Sequence, residues 1–186
     1  MNRTKTSKYI MLDVAANVQC VWLITQNNII NEKKYIHRTN FIENMIPLLH
    51  QALEEKKISL KEIDGIIVGV GPGSYMGTRL SVVTAKILSL ELKIPLFSLS
   101  SLLLLSSGYN NKKLTPKIYA RQNLFYSLSY EQNKIILPEN IYEQSFLDKF
   151  SNNLILNENH LKINPQKIFK KMQKVINPQF LIPSYY

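Results

Sequence analysis

The first half of the chain alternates between apolar runs of strand length and longer stretches with apolar residues at helical spacing. Runs of four to eight such residues predict buried strands, and a period of three to four predicts helices. We predict strands over residues 9–13, 18–24, 29–35, 63–68 and 96–98. One helix is predicted from the apolar positions Phe41, Met45, Leu48, Leu49, Ala52 and Leu53, and another from Tyr75 to about Leu92. The order β-β-β-α-β-α-β places the chain in the α/β class.

The second half is less regularly patterned. A polar, turn-rich stretch at residues 108–113 separates it from the first half. We place a boundary there, giving an N-terminal lobe of residues 1–108 and a reduced C-terminal lobe of residues 109–186. Strands are predicted over 117–121 and 124–130, and helices over 143–150 and 165–176.

A glycine-rich turn joins the fourth predicted strand to the second helix. Gly71 and Gly73 flank Pro72, whose ring fixes φ at about −65°, Ser74 stands where a helix N-cap is expected, and Gly77 follows in the first turn. An open helix N-terminus has unpaired N–H groups and a partial positive charge, so it can hold a phosphate or another chain's carbonyl oxygens. The spacing matches neither a Walker loop nor a dinucleotide fingerprint. We expect Gly73 to have a positive φ or to be too crowded for a Cβ atom.

The second helix carries more apolar surface than a helix that covers a sheet on one side needs. Three basic residues spaced by seven positions mark its polar edge: Arg79, Lys86 and Lys93. We therefore predict burial on two sides, one against the chain's own sheet and one against a partner. The outward ridge is assigned to three residues at 3–4 spacing, namely Val82, Ala85 and Ser89. Complete burial within this chain is the alternative interpretation.

Several short motifs closely resemble one protein family. They are His37, Ile46-Pro47, Ile63-Asp64, Gly71-Pro72-Gly73-Ser74-Tyr75, Gly77-Thr78-Arg79, Ala85-Lys86, Pro95 and Ser100 to Leu102. The predicted element order is the core of the actin, Hsp70 and sugar-kinase superfamily, and within it these motifs resemble the bacterial TsaB (YeaZ) family, a non-catalytic relative of the TsaD transferase. Ala120-Arg121 resembles the family's Asp-Ala-Arg segment, with Tyr119 in place of the Asp. Pro183-Ser184-Tyr185 resembles its C-terminal Pro-x-Tyr.

The resemblance implies an actin-like (ribonuclease H-like) fold and a scaffold without catalytic residues. It implies a TsaD-like catalytic subunit as partner, a TsaE-like ATPase, and ATP and Mg²⁺ acting at the level of the complex, which completes threonylcarbamoyladenosine in tRNA. TsaB-like proteins pair with TsaD through the second helix and the one before it. The expected partner-binding residues are His37, Phe41, Met45, Tyr75, Arg79, Val82, Ala85, Lys86 and Ser89. Homodimerisation of the isolated chain and direct contact with tRNA are left open.

Asp13 ends the first strand, where enzymes of the superfamily coordinate Mg²⁺. The resembled family usually continues with Thr-Ser, a polar turn that contacts phosphate, but this chain has Val14-Ala15. We therefore interpret Asp13 as a vestige of a nucleotide site or as a structural hydrogen-bond acceptor. The first alternative function is an autonomous ATP-dependent kinase or ATPase of the same superfamily, and the apolar Val14-Ala15 argues against it.

A second alternative is a glycoprotease-like metallopeptidase. The three histidines His37, His50 and His160 lack the i, i+4 spacing that puts two imidazoles on one metal ion, so we predict no metal site. Cys20 is the single cysteine and cannot form an internal disulfide, which favours the cytoplasm. The longest apolar tract, residues 99–105, is far shorter than the roughly 20 residues that span a bilayer, so no membrane association is expected.

The net charge of +10 raises the question of nucleic-acid binding. The basic residues most suited to tRNA lie on the last predicted helix, which Asn164-Pro165 opens. They are Lys162, Lys167, Lys170, Lys171 and Lys174, opposite Ile168, Met172, Val175 and Ile176. The alternative is that these lysines form the solvated face of an amphipathic helix.

Overall fold

The computed structural model describes residues 6–36, 42–132 and 134–186. In the first half the elements follow the predicted order. They are β1 (Lys8–Asp13), β2 (Gln19–Ile24), β3 (Ile29–Tyr35), α1 (Met45–Glu54), β4 (Ile63–Gly69), α2 (Tyr75–Leu92) and β5 (Leu96–Leu99). A short helix α3 (Ser101–Leu105), which the sequence pattern did not predict, follows directly. The predicted α/β fold and its β-β-β-α-β-α-β order are confirmed.

The first sheet has β1 near its centre. β1 pairs antiparallel with β2 and parallel with β4, β2 pairs antiparallel with β3, and β4 pairs parallel with β5. Residues of β1 alternate between two buried faces, which explains why its apolar run is continuous: Ile10 and Leu12 pack under α1 and α2, whereas Met11 joins the core on the opposite side. The two helices thus cover one face of the sheet.

A second sheet covers the other side of the core. It contains β6 (Lys113–Arg121), β7 (Leu124–Glu131), β8 (Lys134–Glu143) and β9 (Asn153–Ile155), in the order β8-β7-β6-β9. The predictions of β6 and β7 are confirmed, whereas β8 and β9 were missed. Leu114, Ile118 and Leu128 of this sheet pack in one cluster with Trp22 and Ile67 of the first. The two sheets therefore share a continuous apolar core.

Both helices predicted in the second half were too long. Helix α4 spans only Gln144–Leu147, and α5 ends at Lys171 after starting at Pro165. Helix α5 ends early because Gln173 and Lys174 leave the helix and form β10, a strand that pairs with the free edge of β5. Val175 and Ile176 consequently lie beyond the helix, and the Ile176 side chain is 98% exposed.

The last residues run back to the first sheet. The amide of Val175 donates to the carbonyl of Leu96 at 2.9 Å, and that of Ser184 donates to the carbonyl of Val70 at 2.7 Å. β10 thus belongs to the first sheet although it comes late in the chain, and the division into lobes at residue 108 stays a prediction. Among the described residues, no helix combines the length and apolar character needed to cross a membrane.

Candidate functional site

The glycine loop connects the end of β4 to the start of α2. Ser74 is the N-cap, as predicted, and its hydroxyl accepts a hydrogen bond from the amide of Gly77 at 3.4 Å. The amide of Ser74 donates to the carbonyl of Ala15 at 2.8 Å. The sequence predicted that this helix end could hold a phosphate or a carbonyl of another chain. In the structure, the carbonyl comes from the turn after β1 of the same chain.

The loop glycines are required by close backbone packing. A Cβ atom on Gly73 would lie well inside van der Waals contact with the carbonyl oxygen of Ala15, and one on Gly77 would meet the carbonyl oxygen of Val14 in the same way. The crowding expected at Gly73 is confirmed. The positive φ, 92°, belongs instead to Gly71, which precedes Pro72 through a cis peptide bond.

Asp13 is buried directly beneath this loop, with 1% of its surface exposed. Its Oδ1 accepts a hydrogen bond from the amide of Ala15 at 2.8 Å, so the structural hydrogen bond is present. Oδ2 has no partner at hydrogen-bonding geometry, although the Ser101 hydroxyl is near enough to affect its titration. Burial raises the pKa of Asp13 to about 6, and the Ser101 hydroxyl and Ala15 amide oppose that rise.

A nucleotide phosphate does not fit this turn. Carbonyl oxygens of Val14 and Ala15 face the glycine loop, whereas a phosphate needs N–H groups or cations. The side chains of Val14 and Ala15 are apolar and fully buried. The described residues at this position therefore do not form the phosphate cradle that the superfamily's enzymes use.

The inward face of α2 is made of small residues. Val82, Ala85 and Ser89 are buried against the chain's own sheet, and Ala85 has no exposed surface. This placement corrects the prediction that they form the outward ridge. Their small size lets α2 approach the sheet closely, which is the same property that suggested a partner helix. Met45 on α1 is buried in the same core, whereas His37 and Phe41 lie outside the described residues.

The outward face of α2 carries the large apolar side chains. Met76, Val83, Ile87 and Leu90 are each between 43% and 55% exposed, and Leu80 is half-buried among them. Their spacing of four, three, four and three residues places all five on one line along the helix. We call these five residues the α2 stripe. Heptad spacing was the signal that sequence reasoning overlooked, because apolar residues occur all around this helix.

Two predicted partner residues of α2 contact the chain's own C-terminal segment, residues 177–186. Arg79 Nε donates to the hydroxyl of Tyr185 at 2.9 Å, and its guanidinium lies 4.0 Å from the centroid of the Tyr75 ring. Lys86 Nζ donates to the carbonyls of Gln179 and Leu181, at 2.7 and 3.2 Å. Arg79 and Lys86 of the predicted polar edge therefore bind this segment along α2. The Tyr75 ring remains half-exposed at the start of the stripe.

The candidate metal ligands do not converge. Within residues 6–36, 42–132 and 134–186, no group of three His, Cys, Asp or Glu side chains could hold a metal ion. His50 is exposed, and its Nδ1 lies 3.5 Å from Oε2 of Glu54, one turn later on α1. Cys20 is buried in the core, and its burial raises the pKa of the thiol.

The chain is similar to proteins of tRNA modification. A family model described as TsaD, tRNA N6-adenosine threonylcarbamoyltransferase, matches residues 24–182. A tRNA threonylcarbamoyladenosine biosynthesis protein TsaB of Buchnera aphidicola from Acyrthosiphon pisum is 26% identical, covering 75% of this chain and 66% of the relative. The TsaB of Buchnera aphidicola from Baizongia pistaciae is 30% identical, covering 67% and 58%. The chain thus spans between about half and two thirds of the length of these curated relatives.

A solved structure shares the fold over almost the whole chain. YeaZ from Pseudomonas aeruginosa superposes with a TM-score of 0.76, covering 97% of this chain and all of that one, at 17% sequence identity. At that identity the likeness concerns the fold, including the second sheet that follows the actin-like part.

Proposed function

This chain belongs to the TsaB (YeaZ) family, within the wider TsaD family, and we propose that it is a scaffold subunit without catalytic residues in tRNA threonylcarbamoyladenosine synthesis. Its direct partner is a TsaD-like catalytic subunit. A TsaE-like ATPase, ATP and Mg²⁺ act at the level of the complex, in the cytoplasm. The names of the TsaB relatives support the pathway, and the surface of α2 supports the mode of action.

The α2 stripe is the observation that carries the proposal. A helix on the surface of a folded domain normally turns its large apolar residues inward, whereas four such residues of the stripe stay between 43% and 55% exposed here. Because each exposed side chain is already about half-buried, completing its burial contributes about 1 kcal/mol, which makes the stripe a contact of useful strength. Ile46 on α1, the other helix on this side of the sheet, is also 59% exposed. A helix of the TsaD-like subunit is the occupant that fits.

The glycine loop supports a scaffold over an autonomous ATPase or kinase. Its helix N-terminus binds the chain's own Ala15 carbonyl, and the residues around Asp13 do not accommodate a phosphate. We expect the isolated chain to bind ATP weakly and to show no threonylcarbamoyl transfer. Activity should appear only after the TsaD-like subunit is added, and steady turnover by the isolated chain would contradict the scaffold proposal.

The test is Ile87→Glu, which places a carboxylate in the middle of the stripe. The variant should fold like the wild type because the position is exposed, and its affinity for the TsaD-like subunit should fall by about two powers of ten, since a charge would be buried without a partner. Gln122→Glu adds the same charge at the exposed turn between β6 and β7 and is the matched control. Binding is measured by calorimetric titration, and folding by circular dichroism and thermal melting.

The result separates the possible occupants. Unchanged binding by a folded Ile87→Glu variant would show that the stripe is not the contact. The same variants, measured for molar mass by light scattering, test a homodimer of the isolated chain. A wild-type dimer that Ile87→Glu dissociates would mean that a second copy covers the stripe when the TsaD-like subunit is absent.

A further inference from the structure

A pocket of about 230 Å³ lies between the second sheet and α5, and none of the described residues that line it belongs to α2 or the glycine loop. Its apolar part is formed by Leu99, Leu103 and Ile168. Ile168 is fully buried and anchors α5 in the core that the two sheets share. The apolar wall of the pocket therefore belongs to the packed core.

The polar part of this pocket is positively charged. Lys112 comes from the connection before β6, and Lys167 and Lys171 lie one turn apart on α5. No Asp or Glu occurs among the described residues that line it. Glu131, next to the lining residue Gln132, pairs instead with Lys113 at 2.9 Å. Lys171 lies near enough to Lys167 for their ammonium groups to repel each other, and a bound anion would relieve that repulsion.

Two of the three lysines of α5 contact neighbouring groups of the chain at the pocket. Lys167 Nζ donates to the carbonyl of Tyr109 at 2.7 Å and to Oδ1 of Asn110 at 3.0 Å. An ammonium group has three N–H bonds, so one remains for a ligand. Lys171 Nζ lies 5.4 Å from the centroid of the Tyr130 ring. Partial burial, and secondarily the charge of Lys171, lower the pKa of Lys167, as expected for a partly buried cation near a second one.

We propose that this pocket binds a phosphate group, carried either by a small phosphate ester or by an RNA strand. A phosphate dianion matches a pocket whose described lining residues include three lysines and no acid better than a carboxylate with one charge does. Side-chain amides of Asn111 and Gln132 add neutral N–H donors at the rim. The apolar part next to the lysines accommodates carbon atoms of the group that carries the phosphate. This inference is independent of the scaffold function.

Helix α5 also carries a lysine outside the pocket, and comparing it with Lys171 tests the proposal. Lys170 is exposed and lines a separate cleft with Tyr9 and Phe169, so its ammonium group lies outside the pocket. Lys170→Gln and Lys171→Gln therefore remove the same charge from the same helix and leave identical net charge. If the lysines of α5 were only a solvated face, the two substitutions would have equal effects.

The experiment is calorimetric titration of the full chain at low salt with inorganic phosphate and with AMP. Wild type should bind at least one of them saturably, Lys171→Gln should weaken binding about tenfold, and Lys170→Gln should change it by less than about twofold. Thermal melting checks that each variant is folded. Lys112→Gln, on the opposite rim, should reproduce the loss and replaces Lys171→Gln if that variant does not fold.

A short fluorescein-labelled RNA, titrated by fluorescence polarisation with the same variants, distinguishes the two sources of phosphate. An RNA affinity that falls with Lys171→Gln but not with Lys170→Gln identifies a strand phosphate. A selective loss confined to inorganic phosphate or AMP identifies a free ester. Absence of saturable binding by all three probes, or equal losses for every probe in the two α5 variants, would overturn the proposal.

Discussion

The two faces of α2 are reversed relative to an ordinary surface helix. The inward face carries Thr78, Ser81 and Ala85, all buried, whereas the outward face carries the larger Val83 and Ile87, both about half-exposed. Small residues allow the helix axis to lie close to the sheet, and the bulk of the apolar side chains is then left for another surface. The difference teaches that residue size, as well as hydrophobicity, decides which side of a helix faces its own core.

The largest expected effect comes from a charge on the inward face. Ala85→Glu should prevent stable folding or lower the free energy of unfolding by roughly 3–5 kcal/mol, because the carboxylate would be buried without a partner. Circular dichroism and urea unfolding measure it. Ile87→Glu, two residues further on the outward face, is the control and should melt like the wild type. A stable Ala85→Glu variant would mean that the inward face is not part of the core.

The buried carboxylate of Asp13, at the end of β1, should make stability depend on pH. The pKa of Asp13 is raised to about 6 in the folded chain from an ordinary value of 3.8. The folded state therefore binds the proton more tightly, so this contribution is greatest below pH 4 and is lost as pH rises toward 6. Between pH 4 and a pH well above 6, the free energy of unfolding should therefore fall by on the order of 3 kcal/mol.

Asp13→Asn tests this dependence, since the amide oxygen can still accept from Ala15 N–H. The variant should lack the Asp13 component of the decline and be at least as stable as the wild type at pH 7. Urea unfolding between pH 4 and 8 measures both chains. Parallel pH profiles would show that Asp13 does not titrate in this range.

A smaller effect is expected where the glycine loop meets the turn after β1. Gly73→Val should lower the free energy of unfolding by roughly 1–3 kcal/mol, because the new side chain collides with the Ala15 carbonyl and shifts the start of α2. Met76→Val is the control, since it introduces the same side chain three residues further on at an exposed position. Equal unfolding midpoints for wild type and Gly73→Val would refute the packing argument.

The sequence predicted the first half of the fold well because its central strands β1, β2 and β4 are largely buried on both faces and its turns have distinctive residues. Asp13, Ser74 and the crowded Gly73 were identified from local patterns, which depend on few neighbours. The inward position of Ala85 was not predicted, since a small residue indicates close approach without naming the surface approached. The outward line from Met76 to Leu90 was present in the sequence, but other apolar residues on the same helix concealed it.

The second half was harder to predict because its elements depend on distant pairings. β10 is only two residues long and exists because Gln173 and Lys174 meet Ser98 and Phe97 across the edge of β5. The contacts of Lys86 with the carbonyls of Gln179 and Leu181 similarly join positions 93 and 95 residues apart. Local periodicity carries no information about such distant contacts. The helical pattern continues to residue 176 in the sequence, so the predicted helix was too long.

The return of residues 173–184 to the first sheet has a consequence for biosynthesis. β5 gains its outer neighbour, and Val70 the hydrogen bond from Ser184, only after residues 173–184 have been translated. Until then a nascent chain on the ribosome exposes the unpaired edge of β5, which other polypeptides can pair with. The first sheet therefore begins to form from the N-terminal half but is completed only by residues of the second half.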